Sequence, residues 1–145
     1  MSMFNSINIS STGLTAERTR MDVISENIAN ANTTRTSNGT PYRRKMVLFK
    51  EDKKSFSELL NEKLQSHNNS EGVKITGIVE DETPFKTTYN PGHPDADKEG
   101  YVKMPNVDVT KEMVDMISAT RAYEANVTAI NSSKSMFMRA LDIGK

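Results

Sequence analysis

Four apolar residues, Ile7, Leu14, Met21 and Ile28, recur at a spacing of seven near the start of the chain, with Met3, Ile24 and Ala31 on the adjoining edge. On a helix they form a narrow apolar seam, not the wide stripe of a helix covering a globular core. The intervening positions are Asn, Ser and Thr, and Glu17, Arg18, Arg20, Asp22 and Glu26 fall outside the seam. From Ile7 to Ile28 the seam is about 33 Å long at the helical rise. Gly13 weakens this helix by roughly 1 kcal/mol relative to Ala. The run Thr33–Pro41 (TTRTSNGTP) is dense in turn residues and has no period, so the helix is expected to stop near Ala31. Asn27, Asn30 and Asn32 are expected to bond backbone groups at that stop, because Asn tolerates such turns and can also fix register in a packed bundle.

The middle of the chain reads as loops and strands. Tyr42–Phe49 predicts a strand with Tyr42, Arg44, Met46 and Leu48 on one face. Val73–Val79 alternates more cleanly, with Val73, Ile75 and Val79 on one side and Gly77 between them. Thr83–Tyr89 and Gly100–Met104 are further strand candidates, separated by the turn-rich NPGHPD. Within Lys50–Gly72, Phe56, Leu59, Leu60 and Leu64 suggest a short amphipathic helix in a charged excursion.

The last third carries the strongest pattern. Asp108 or Thr110 can cap a helix whose first turn holds Glu112. From there Met113, Met116, Thr120, Tyr123, Val127, Ile130, Lys134, Phe137 and Leu141 alternate in steps of three and four. Ala119, Ala122, Ala125, Ala129, Ser132 and Ser133 are expected on a second face, where short side chains permit close helix approach. These patterns predict an α+β chain. Long N- and C-terminal helices pack as a coiled-coil-like bundle, with a small β-rich segment inserted between them. The expected divisions are an N-terminal assembly helix at 1–31, a loop and β-rich insert at 32–106 (variable over 50–72), and a C-terminal assembly helix at 107–145.

Composition narrows the function. Val, Ile, Leu and Phe make up 29 of 145 residues, at the edge where a chain stops burying enough surface to order itself. The 19 basic and 19 acidic residues cancel, so self-repulsion does not hold the chain open. That balance describes a polypeptide that completes its core against partners, and it argues against a nucleic-acid binder, which normally carries a basic face. Zero Cys excludes a disulfide scaffold, a thiolate metal site and a cysteine nucleophile. No apolar run approaches the ~18 residues of a membrane span, and MSMFNSINIS lacks the charge and apolar core of a cleavable secretory signal.

Candidate chemistry is sparse. His67 and His93 sit in separate loops, without a second ligand at metal-binding spacing. Asp95, Asp97 and Gly100 fit the opening of a calcium loop, but its twelfth position is Asn106, where a bidentate Glu is needed. The segment is therefore read as a polar turn into a strand. Arg43, Arg44 and Lys45 form a short basic cluster, read as solvated or inter-subunit. No nucleophile elbow, phosphate loop or zincin motif occurs. The expectation is a non-enzyme without cofactor or metal.

Specific motifs then carry a resemblance. NIANANTTRT at Asn27–Thr36, with Asn27, Asn30 and Asn32, resembles the signature of bacterial flagellar axial proteins of the rod and hook group. Tyr89–Met136 resembles the proximal-rod family of flagellar basal-body rod protein C. The match runs through His93, Pro94 and Asp95, then Gly100 and Tyr101, then Pro105 and Asn106, and finally Arg121, Tyr123 and Asn126 within RAYEAN. TRTSNGTPYRRK departs from the family's more usual turn after the first motif, and Lys50–Gly72 carries no part of the match.

The resemblance implies a structural subunit of the rod that crosses the periplasm and carries torque from motor to hook. It also implies export through the flagellar type III apparatus without a cleaved signal. The implied partners are the other proximal and distal rod proteins, the basal-body base and its MS-ring adaptor, the export apparatus, and further copies of the chain. Nucleic acid and a direct membrane span are not implied. The expected mechanism is helical polymerisation through Ile7, Leu14, Met21, Ile24, Ile28, Met113, Met116, Tyr123, Val127, Ile130, Phe137 and Leu141. An exported coiled-coil adaptor, or a needle-type subunit of a type III secretion apparatus, would share the seams and is the alternative. A wall-active enzyme is a third reading, with no residue pattern behind it.

Overall fold

The computed structural model describes residues 3–52 and 72–143. Helix α1 spans Met3–Ala29 and helix α2 spans Val109–Ile143, with strands β1 (Lys45–Glu51), β2 (Val73–Glu80), β3 (Lys86–Tyr89) and β4 (Tyr101–Met104) between them. β1 pairs with β2, and β3 pairs with β4. This is the expected α+β arrangement of two long terminal helices around a small β segment. The short helix expected around Phe56–Leu64 lies outside the described residues.

The chain divides into two compact units, one built from residues 1–19, 49–76 and 119–145, the other from 20–48 and 77–118. In the first, α1 and α2 run antiparallel. Ser6 Oγ lies 3.5 Å from Ser133 Oγ, and seven residues on along α1 and seven back along α2, Gly13 faces Asn126. A Cβ at Gly13 would stand 3.1 Å from Asn126 Nδ2. Glycine there is a requirement of close approach as well as a cost in helix propensity. Thr12 Oγ1 accepts the Val73 N–H at 3.1 Å and donates to Ile9 O at 2.7 Å, so the start of β2 is tied to α1.

The second unit has a small core of Val23, Ile24, Tyr42, Val102 and Val107. β3 and β4 are antiparallel, with Tyr89 opposite Tyr101 and Lys86 opposite Met104. Strand alternation sends Val102 inward and Tyr101 and Lys103 outward. In the loop before β4, the Gly100 N–H donates to Asp97 O and the Asn90 N–H to Gly100 O. Gly100 sits at φ +83°, and a Cβ there would meet the Tyr89 ring at 2.9 Å. Asp108 caps α2, its Oδ1 accepting the Thr110 N–H at 3.0 Å.

Several local expectations shift. α1 ends at Ala29, and a turn over residues 30–32 follows, with the Thr33 N–H bonded to Asn30 O. β1 begins at Lys45, not Tyr42, because the preceding backbone is engaged elsewhere. The Tyr42 N–H donates to Thr33 O and the Arg44 N–H to Asn106 Oδ1. The bonds flanking the β1–β2 ladder, Asp52 N–H to Gly72 O and Asp81 N–H to Arg44 O, are out of step by one residue. Val73 and Val79 are exposed while Ile75 is half-buried, so the three do not form one covered face.

Candidate functional site

Beneath the surface of the second unit, one amide joins three elements. Asn27 is 1% exposed. Its Nδ2 donates to Lys45 O at 2.9 Å and to Glu112 Oε2 at 3.0 Å. Its Oδ1 accepts the Tyr42 hydroxyl and the Lys45 N–H, both at 2.9 Å. Both donors and both acceptor sites of the side chain are thus filled. α1, the entry to β1 and the first turn of α2 are clasped at this point.

Glu112 is fully buried. Its Oε1 accepts Arg44 Nε at 2.7 Å. Arg44 also stands 3.5 Å from Asp81 Oδ2 and 3.8 Å from Asp115 Oδ2, while Asp115 lies 3.7 Å from Arg20. Burial alone would lower the Arg44 pKa, but the Glu112 hydrogen bond and charge, then Asp81 and Asp115, hold it above its ordinary value. Asp81 is lowered, first by the Thr83 N–H it accepts, which burial opposes, and then by smaller effects of the Thr83 hydroxyl and Arg44. Tyr42 is pushed up to about 12 by burial and by the charges of Glu26, Glu112 and Glu80. The basic cluster read as solvated or inter-subunit is corrected at Arg44, whose partners lie within the chain.

The expected assembly residues fall into three groups. Ile24 is buried; Ile7, Leu14, Met21, Ile28, Met116, Tyr123, Val127 and Ile130 are half-buried; Met113, Phe137 and Leu141 are exposed. Around α2, Met113 lies about 100° from Glu112. The side of α2 covered by the chain itself is marked by Glu112, Ala119 and Ser133, which fall at multiples of seven and are polar or small. Of the small residues expected on a second face of close helix approach, Ala119 and Ser133 are buried, Ala122 is half-buried, and Ala125, Ala129 and Ser132 are exposed. Turned outward instead are Val109, Met113, Val114 and Ile117 in the second unit, and Met136, Met138 and Leu141 in the first.

The motif residues are placed as follows. Asn30 Nδ2 donates to Glu26 O at 2.9 Å, as expected at a helix end, while Asn32 is exposed. Asn27 bonds the backbone of Lys45 instead of the helix end. Asn106 bridges loops, accepting the Arg44 N–H at 2.8 Å and donating to Asp81 O at 3.0 Å. Pro105 and Gly100 are buried, Pro94, Tyr101 and Arg121 exposed, and Asn126 half-buried. His93 Nδ1 accepts the Asp95 N–H at 3.1 Å. Asp97 Oδ1 accepts the Glu99 and Tyr101 N–H groups, which makes this stretch a turn into β4. Among the described residues no group of three or more potential ligands could hold a metal ion. No described helix is long and apolar enough to cross a membrane.

Sequence comparison meets this geometry at both ends of the chain. A family model described as "Flagella basal body rod protein" matches residues 7–35, and one described as "Flagellar basal body rod FlgEFG protein C-terminal" matches residues 98–143. The chain is 53% identical over 150 residues to the flagellar basal-body rod protein FlgC of Bacillus subtilis, with all of both chains covered. Identity to FlgC of Borreliella burgdorferi is 50%, covering 99% of this chain and 98% of the other. Identity to FlgC of Salmonella typhimurium is 39%, with both chains fully covered.

Proposed function

The chain belongs to the FlgC family of flagellar basal-body rod proteins, and we propose that it polymerises helically through its terminal helices into the torque-bearing shaft of the basal body. It is a structural subunit of the flagellar rod. The observation that carries the polymerisation reading is the division of labour around α2. The side covered by the chain itself presents Glu112, Ala119 and Ser133, whereas Val109, Met113, Val114 and Ile117 face outward. Water is a poor environment for four large apolar groups on one short stretch of helix, and covering each supports association by on the order of 1 kcal/mol.

A heterologous contact of this kind, repeated by a rotation that does not close, generates an open filament. Torque then passes through many helix–helix contacts instead of one hinge. In this reading the neighbours are other rod proteins, further copies of the chain, and the basal-body base with its MS-ring adaptor. The subunit reaches the periplasm through the flagellar export apparatus without a cleaved signal. Met113→Asp combined with Ile117→Asp tests the reading, because both side chains are exposed and their loss leaves the clasp intact. Secretion of the variant should persist while rods fail to form. Rods in normal number would overturn the reading.

A further inference from the structure

Between the turn after α1 and the loop leading into β4, the second unit holds an open cleft of about 320 Å³. Arg35 and Pro41 line one side, and Asp95, Asp97, Tyr101 and Lys103 the other. The formal charges of the walls balance, yet the two signs are committed differently. Asp97 Oδ1 accepts two backbone N–H groups at 2.9 Å, and Asp95 Oδ2 accepts the Thr34 hydroxyl at 2.8 Å. Both carboxylates are engaged by the surrounding loops. Arg35 forms a loose ion pair with Asp95, 3.8 Å from its Oδ1 and beyond hydrogen-bond range, and its side chain is 73% exposed. Lys103 lies on the outward face of the β3–β4 ribbon, opposite Thr87. The cleft therefore offers a visitor two cations, the exposed Tyr101 ring and, at Gly39 (φ +76°), bare backbone. Arg and Tyr are among the side chains enriched at interface hot spots.

The same chain carries a complement. Glu80 and Glu82, at the end of β2 and just beyond it, are exposed, and Asp81 between them is held by Thr83 and Arg44. Neither Glu lines the cleft of its own chain. We propose that the cleft receives the Glu80–Glu82 turn of a second copy, one carboxylate forked by Arg35 and the other meeting Lys103. This deepens the rod reading and rests on it. Because the turn and the cleft are different surfaces, the contact is heterologous and repeats from copy to copy. A carboxylate on Arg gains two parallel hydrogen bonds, which fixes the angle between copies as well as their attraction.

The absence of Cys from the chain makes introduced thiols diagnostic. Lys103→Cys and Glu82→Cys chains, co-expressed in cells lacking the native copy, should yield a covalent dimer on oxidation of isolated basal bodies, and neither variant alone should. In parallel, Arg35→Glu with Lys103→Glu should lower the number of rod-bearing basal bodies at least about tenfold, since facing like charges oppose docking. Adding Glu80→Lys with Glu82→Lys should restore it. Rods unaffected by the reversed cleft would overturn the proposal while leaving the rod reading intact. A loss without rescue would also overturn it, by assigning the cleft to a different partner. Failure of the rod reading is scored separately, by rods persisting in the Met113→Asp, Ile117→Asp variant.

Discussion

The side-chain amide of Asn27 donates to the carboxylate of Glu112 at 3.0 Å, joining positions 85 residues apart in the chain. Neither group has water to fall back on, since Asn27 is 1% and Glu112 0% exposed. Glu112→Ala strips Arg44 and Asn27 of their shared acceptor and is expected to cost about 3–5 kcal/mol. Asn27→Ala strands the Tyr42 hydroxyl and both backbone groups of Lys45, and about 2–4 kcal/mol should be lost. Urea unfolding of the full chain checks both, as a lower midpoint at unchanged slope.

Arg44 faces three acids, with Nε 2.7 Å from Glu112, Nη1 3.5 Å from Asp81 and Nη2 3.8 Å from Asp115. A lysine reaches one of these as a point charge and cannot present the planar fork. Arg44→Lys should therefore destabilise by about 2 kcal/mol, measured by the same unfolding. If the variant unfolds like the parent, the fork has no energetic role.

Acid should weaken the same unit through Asp81, whose carboxyl is held below its usual range by the Thr83 N–H and hydroxyl and by Arg44. A lowered folded pKa contributes stability that is present above the unfolded value of about 3.9. It is lost as pH falls through the folded one. Thermal melts between pH 5 and pH 2 should show a shallower decline for Asp81→Asn than for the parent chain.

Much of this was legible in the sequence, and the remainder failed for a common reason. The heptad Ile7, Leu14, Met21, Ile28 announced α1, and Asp108 announced the start of α2. Apolar periodicity does not say which face meets the chain's own partner helix. The contacts between α1 and α2 use Ser6 with Ser133, Gly13 against Asn126, and Asn27 with Glu112, a heptad one residue removed from the apolar one. A rule that reads seams by hydrophobicity passes over such a row. Glu112 looked like an ordinary first-turn acid because its partner Arg44 lies 68 residues away. Ser6, Gly13 and Asn27, then Glu112, Ala119, Asn126 and Ser133, keep their own spacing in multiples of seven, and that spacing is the signal the sequence does carry.

Alkali acts through Tyr42, pushed up to about 12 by burial and neighbouring carboxylates. The unfolded chain ionises this phenol near pH 10, before the folded chain does. The raised folded pKa thus contributes stability that is whole below pH 10 and drains away between pH 10 and 12, by up to about 1.4 kcal/mol per unit. Tyr42→Phe loses the bond to Asn27 Oδ1 and starts lower, but its stability should fall less steeply across that window. Parallel slopes in urea titrations at pH 9.5 and 11 would contradict the assignment.

Gly13 and Asn126 offer the most local test of how the helices approach. A Cβ at Gly13 would lie 3.1 Å from Asn126 Nδ2 and 3.2 Å from Oδ1, while that amide already donates to Ala122 O at 3.0 Å. Gly13→Ala gains about 1 kcal/mol of helix propensity and must spend it moving Asn126 by a few tenths of an ångström. In an Asn126→Ala background the obstruction is gone, and the same substitution should stabilise by close to the full propensity gain. The two changes should therefore be non-additive by at least about 0.5 kcal/mol, the scale seen for residues in direct contact. Strict additivity in a double-mutant cycle would mean that Gly13 is not held against Asn126, and Gly13→Leu, expected to cost more than about 2 kcal/mol through overpacking, would then be tolerated as well.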